Sequence, residues 1–133
     1  ITNNALVRDF SDELIATVAK YPNQIMQIRH IGGAMNKVAP DATAFAHRDS
    51  EVMIVMPVFV APGAADQAVE KALEPWRAIS QFSQGGYSNF FTEVTDAEIA
   101  AIYPKSTYER LAKIKKRYDP QNIFDQNYNI KPE

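Results

Sequence analysis

The chain has 133 residues, 46% hydrophobic and 23% charged, with a net charge of −2 and no cysteine. That is the size and make-up of one ordinary globular domain, with enough apolar residues for a core that needs no disulfide or metal staple. The near-neutral charge excludes a general nucleic-acid surface, and the lack of cysteine excludes thiolate nucleophiles, thiolate metal sites and disulfide frameworks.

The apolar run from Val52 to Ala61 is far short of the roughly 20 residues that cross a bilayer, so no membrane span is predicted. Ile1 to Phe10 lacks an initiator Met and the basic start and apolar run of a signal peptide, so the chain reads as cut from something longer.

In chain order, Ser11 and Asp12 offer a cap for a short helix carrying Leu14, Ile15, Val18 and Ala19, ended by Pro22. Gln24 to Ile31 alternates, setting Ile25, Gln27, Arg29 and Ile31 against Met26, Ile28 and His30, and reads as a strand stopped by Gly32-Gly33. Val38 to Asp49 is a loop, and Glu51 to Val60 is a buried strand in which Pro57 signals an edge or a bulge. Ala64 to Phe82 is a long helix with Val69, Ala72, Leu73, Trp76 and Ile79 on one stripe, expected to bend or break at Pro75. Tyr87 to Thr92 reads as a short aromatic strand, and Asp96 to Ile102 as a helix capped by Thr95 or Asp96. Lys105 to Tyr118 is the clearest helix, with Tyr108, Leu111, Ile114 and Tyr118 as its stripe, ended by Asp119-Pro120. Gln121 to Glu133 has no period and reads as an extended tail that must dock to be ordered. The order of elements fits an α+β fold, an antiparallel sheet covered by helices on one face, in a single domain.

His30 and His47 lack metal-site spacing and acidic company, so no metal site is predicted. The segment Ala42 to Asp49 gathers His47, Arg48 and Asp49, which read as a capped loop with a surface ion pair. Tyr87 and Asn89 follow two glycines and, on a strand, would share a face; a phenol beside an amide suits a site that binds or deprotonates an alcohol, and equally a satisfied core edge. Arg110, Lys113, Lys115, Lys116 and Arg117 oppose the apolar stripe of their helix and read as a solvated face.

Tyr87-Ser88-Asn89-Phe90, Tyr108-Glu109-Arg110-Leu111, the run from Lys115 to Phe124 and Asn127-Tyr128-Asn129-Ile130 together resemble the berberine bridge enzyme-like signature. Gly32-Gly33-Ala34-Met35 and Ala44-Phe45-Ala46-His47-Arg48 resemble the family's glycine turn and His-Arg loop, in the same order. The resemblance implies the C-terminal piece of an FAD-dependent oxidoreductase that oxidises an alcohol, sugar or amine by hydride transfer to flavin. Residues 1–95 would form part of the substrate domain and 96–133 the segment returning to the flavin. It further implies that Tyr87 faces the substrate as base or orienter, while Asn89, Asn127 and Asn129 lie on the cofactor side. The partners would be the parent's N-terminal FAD-binding domain and a small-molecule substrate, with neither nucleic acid nor membrane.

Two departures qualify the resemblance. Where family members often carry an acidic or amide residue, the strand after the His-Arg loop reads Val52-Met53-Ile54-Val55-Met56. No phosphate-binding loop and no flavin-attachment motif is present, so this piece alone should neither hold FAD nor turn over. Phe124, Tyr128 and Ile130, which would face the missing domain, should be mobile or self-associate. The competing reading is a stand-alone α+β ligand-binding or assembly domain without catalysis, for which the tail would be dispensable.

Overall fold

The computed structural model describes residues 8–91 and 94–133. They divide between two compact units, one of residues 8–32 and 50–84, the other of residues 33–49, 85–91 and 94–133. Among the described residues no helix is long and apolar enough to cross a membrane.

The first unit is a two-helix, two-strand layer. Helix α1 spans Arg8–Lys20 and begins ahead of the expected Ser11 cap, because the residue it must bury is Phe10. Its inner face is Phe10, Leu14 and Thr17, a spacing of four and three; Ile15 and Val18, expected on the stripe, stand in solvent. Strands β1 (Gln27–His30) and β2 (Val52–Val55) pair antiparallel with Ile28 opposite Ile54, and an Ile31 N–H donated to Glu51 O at 2.8 Å extends the ladder. The sheet is shorter than the expected strands at both ends. β2 stops before Met56-Pro57, and it is half-buried rather than enclosed. A two-stranded hairpin is marginal alone and needs a packed face. That face carries Met26 and Ile54, which join Met56 and the helices.

Helix α2, Asp66–Ser80, runs through Pro75 without the expected break. The missing N–H falls where the proline ring is itself buried, and Trp76 and Ile79 on the next turn hold the helix against the core. Phe82, past the helix end, meets Phe10 edge-on at 5.6 Å. Polar ties finish the unit: the Tyr21 hydroxyl donates to Glu74 at 3.0 Å, and Gln24 Nε2 to Pro57 O at 2.9 Å.

In the second unit a 3₁₀ turn, Met35–Lys37, follows Gly33, which turns the chain at φ +81°. Helix α3, Asp96–Ile102, opens on a capping box: Thr95 Oγ1 accepts from Glu98 N at 3.2 Å and the Glu98 carboxylate accepts from Thr95 N at 3.0 Å. Helix α4, Lys105–Tyr118, matches its expected bounds. Its inward face is Thr107, Tyr108, Leu111 and Ala112, so the stripe is rotated from the expected one. Ile114 points out and Tyr118 is 73% exposed. Arg110 reaches back to the backbone oxygen of Asp41, tying the loop to this helix.

The tail carries no regular element yet is pinned along its length. Asp119 closes α4 by donating its N–H to Lys115 O at 2.7 Å, and its carboxylate accepts from Ile123 N at 2.8 Å and Phe124 N at 3.0 Å. Lys115, read from the sequence as part of a solvated face, turns inward: its ammonium lies 2.5 Å from the Asp119 carboxylate and 2.6 Å from Phe124 O. The Lys115 ammonium, helped by the two amides, holds the Asp119 carboxyl below the usual carboxylate range. Asn122 and Asn127 take φ of 52° and 58°, left-handed conformations that asparagine tolerates better than most residues. Farther on, Lys131 N donates to the Tyr108 hydroxyl at 3.2 Å.

Candidate active site

The glycine pair Gly85-Gly86 brings the backbone close to two rings. A Cβ on Gly85 would lie 2.0 Å from the His47 ring, and one on Gly86 would lie 2.0 Å from the Phe91 ring. Neither site has room for a side chain. Gly86 N donates to Ala101 O at 2.9 Å, so the pair is fastened to the last turn of α3.

Directly after the pair comes a 3₁₀ turn, Ser88–Phe90, closed by Phe90 N donating to Tyr87 O at 3.1 Å. The expected aromatic strand is absent through Phe91, and Thr92 lies outside the described residues. Gly86 N is tied to a helix terminus rather than to a strand, and aromatic β propensity without a ladder does not hold a strand. Tyr87 and Asn89 nevertheless meet, by the curl of the turn rather than by alternation: Asn89 Nδ2 donates to the Tyr87 hydroxyl at 3.1 Å. Tyr87 is 36% exposed. Its ring lies between Phe45, edge-on at 5.9 Å, and Phe90, tilted at 5.9 Å.

The Ala42–Asp49 segment, read from the sequence as a surface loop, supplies the floor under Tyr87. Arg48 sits 5.0 Å over the Phe45 ring and donates to Phe45 O at 3.1 Å and Thr43 Oγ1 at 2.8 Å. Thr43 Oγ1 also accepts from Phe45 N at 3.2 Å. The guanidinium therefore braces the loop from within it. His47 is 7% exposed. The sequence held no signal for that burial.

The tail comes back to this turn through Tyr128, whose ring meets Phe91 edge-on at 6.5 Å. Asn129 N donates to Asn127 O at 2.9 Å, and Asn129 Oδ1 is buried with no hydrogen-bond partner among the described residues. No hydrogen bond among the described residues joins Asn127 or Asn129 to Tyr87 or Asn89. Burial, with the Glu98 carboxylate adding, pushes the Tyr128 phenol up, and burial does the same to Tyr103. Both phenols therefore stay protonated at neutral pH.

Residues 87–131, from Tyr87 through Lys131, match the family model described as berberine and berberine like. The chain is 32% identical to an FAD-linked oxidoreductase of Dictyostelium discoideum over 136 residues, 96% of this chain and 28% of that protein. It is 36% identical to (R)-6-hydroxynicotine oxidase of Paenarthrobacter nicotinovorans over 99 residues, 71% of this chain and 22% of that protein. Among solved structures, chitooligosaccharide oxidase superposes with a TM-score of 0.67 at 24% identity, over 94% of this chain and 29% of that one, a likeness of fold. The α+β architecture is thus shared with a segment of that oxidase, and the Tyr-x-Asn turn stands at the start of the family match. Residues 87–131 belong to the berberine and berberine like family, and the chain as a whole is similar to segments of FAD-linked oxidoreductases. The chain spans under a third of the length of the curated relatives it matches.

Proposed function

We propose that this chain is the C-terminal part of an FAD-dependent oxidoreductase that oxidises an alcohol, sugar or amine, with Tyr87 as its contribution to the chemistry. The observation carrying this reading is the Tyr87–Asn89 pair, a phenol held by an amide at 3.1 Å on a partly exposed turn that begins the family segment. FAD, when bound, supplies the hydride acceptor.

The residues present fit one side of such a cofactor. Asn89 and the buried Asn129 Oδ1, which has no hydrogen-bond partner among the described residues, offer amide groups to a polar ring edge, with Asn127 bonded to Asn129 through the backbone. The positive-φ glycines, Gly33 and Gly63, stand singly, without the clustered glycines of a pyrophosphate cradle, so the phosphates are held elsewhere in the parent. Residues up to about 95 belong to the substrate domain and those from about 96 return to the N-terminal FAD-binding domain. Phe124, 79% exposed on a pinned backbone, is the most exposed large apolar side chain of the tail and is available to that domain, with Tyr128 and Ile130 half-buried farther along. Alone, the chain is inactive and self-associates through this seam.

Tyr87 does two things in this scheme. Its oxygen accepts from Asn89, which fixes the ring's rotation and leaves the phenolic proton to point at a substrate hydroxyl or amine. It then orients that group and takes part in moving its proton, with a cation or acceptor from the other domain lowering the cost. β2 carries no carboxylate to share the task. In the intact protein Tyr87→Phe should keep the fold and the flavin yet slow anaerobic flavin reduction by roughly 10²- to 10⁴-fold. Reduction at the wild-type rate would return Tyr87 to a packing role.

A further inference from the structure

The His-Arg loop is the sequence motif that the proposed reaction leaves without a task, and its buried histidine is tied to the Tyr87 turn in three ways. The His47 Nε2 lies 2.9 Å from Ala101 O and 3.2 Å from Ile102 O. Both are acceptors only, so Nε2 carries the proton and donates. Ala101 O is also the acceptor of Gly86 N at 2.9 Å, so imidazole and glycine turn are fastened to the same oxygen. The face of the imidazole fills the space over Gly85, where a Cβ would come within 2.0 Å of Cε1. The ring edge meets Phe45 at 5.9 Å and 76°, and Phe45 meets Tyr87 at 5.9 Å and 87°.

We infer that His47 is a positioning residue for Tyr87: it locks the Gly85-Gly86 turn to the end of α3 through the backbone and sets the phenol through Phe45. The inference rests on the reading of Tyr87 as the residue that handles the substrate proton. His47 itself is buried among carbonyls, glycine and Phe45, and its effect on catalysis passes wholly through where the phenol stands. Displacing a catalytic group by about 1 Å costs on the order of 10²-fold in rate. A donor at Nε2, more than an imidazole, is what the position requires.

The test uses the flavin-loaded intact protein and anaerobic flavin reduction, with kcat and KM taken separately. His47→Phe keeps a ring over Gly85 but removes the donor, and should lower the reduction rate by about 10- to 100-fold with a smaller change in KM. His47→Gln, whose amide restores a donor, should recover most of that loss. On a Tyr87→Phe background, where the hydroxyl to be placed is gone, His47→Phe should cost less than about threefold more. If His47→Phe does not assemble with flavin, Gly85→Ala, which drives a Cβ onto the imidazole, replaces it and should show the same dependence on Tyr87. Wild-type reduction by Tyr87→Phe would sink the reading of Tyr87 and this inference with it. A slow Tyr87→Phe beside a wild-type His47→Phe, or an equal loss in both backgrounds, would overturn the role of His47 alone.

Discussion

Gly86→Ala probes whether the tail and the Tyr87 turn are one packed piece. The added Cβ would stand 2.0 Å from Phe91 Cε2 and 2.4 Å from Cζ, where ordinary contact begins at 3.4 Å, so the Phe91 ring must retreat by more than an ångström. Gly86 is buried and bonded to Ala101, so the backbone has little freedom to yield instead. The ring's retreat breaks its edge contact with Tyr128, loosening the strip that holds Asn127 and Asn129. Overpacking of this kind costs about 1–3 kcal/mol. Phe91→Ala removes the atoms in the way, so the double variant should lose less than the sum of the two single losses, by about 1 kcal/mol or more. Urea unfolding of the intact protein gives the cycle, and hydrogen exchange at 127–131 locates it. Additive losses, or an exchange change confined to 85–91, would refute the packing argument.

Asp119 gives a pH signature. Its folded-state carboxyl is depressed, chiefly by Lys115, so its contribution is present above the ordinary carboxylate value of about 4 and is lost as pH falls through the lower folded value. Acid, or Asp119→Ala at neutral pH, should therefore speed proteolysis at 121–124; an unchanged cleavage rate in either case would count against the clamp. In the first unit, Ile79→Ala empties a site only 3% exposed among Phe10 and Met56 and should cost about 2–5 kcal/mol in denaturant unfolding.

Sequence patterns located α4 and α3 closely because both carry local signals, a long helical period in one and the Thr95–Glu98 box in the other. They misplaced what depends on tertiary partners. The expected strand at Tyr87 had aromatic propensity but no neighbour to pair with, so the segment curled into a turn. The α4 stripe came out rotated because Thr107 and Ala112 fill its inner face while Tyr118 is left to solvent. Lys115 was grouped with its cationic neighbours because nothing nearby in sequence says that a helix-ending aspartate folds back to meet it. The Tyr87–Asn89 pairing was readable only as two suggestive residues, and the loop beneath it looked like surface because its histidine's partners lie more than fifty positions away.

The hairpin of β1 and β2 bears on how the isolated chain can be handled. With two strands among the described residues, each outer edge presents backbone donors and acceptors that can template another strand, a common start of ordered aggregation. The sequence carries partial safeguards: Arg29 puts a charge on one edge, and Pro57, just beyond β2, denies a donor to anything zipping along the other. They shorten the sticky edge without abolishing it, so material expressed without its neighbours should tend to precipitate as sheet, and a charge at Ile28 is the first substitution to make for solubility.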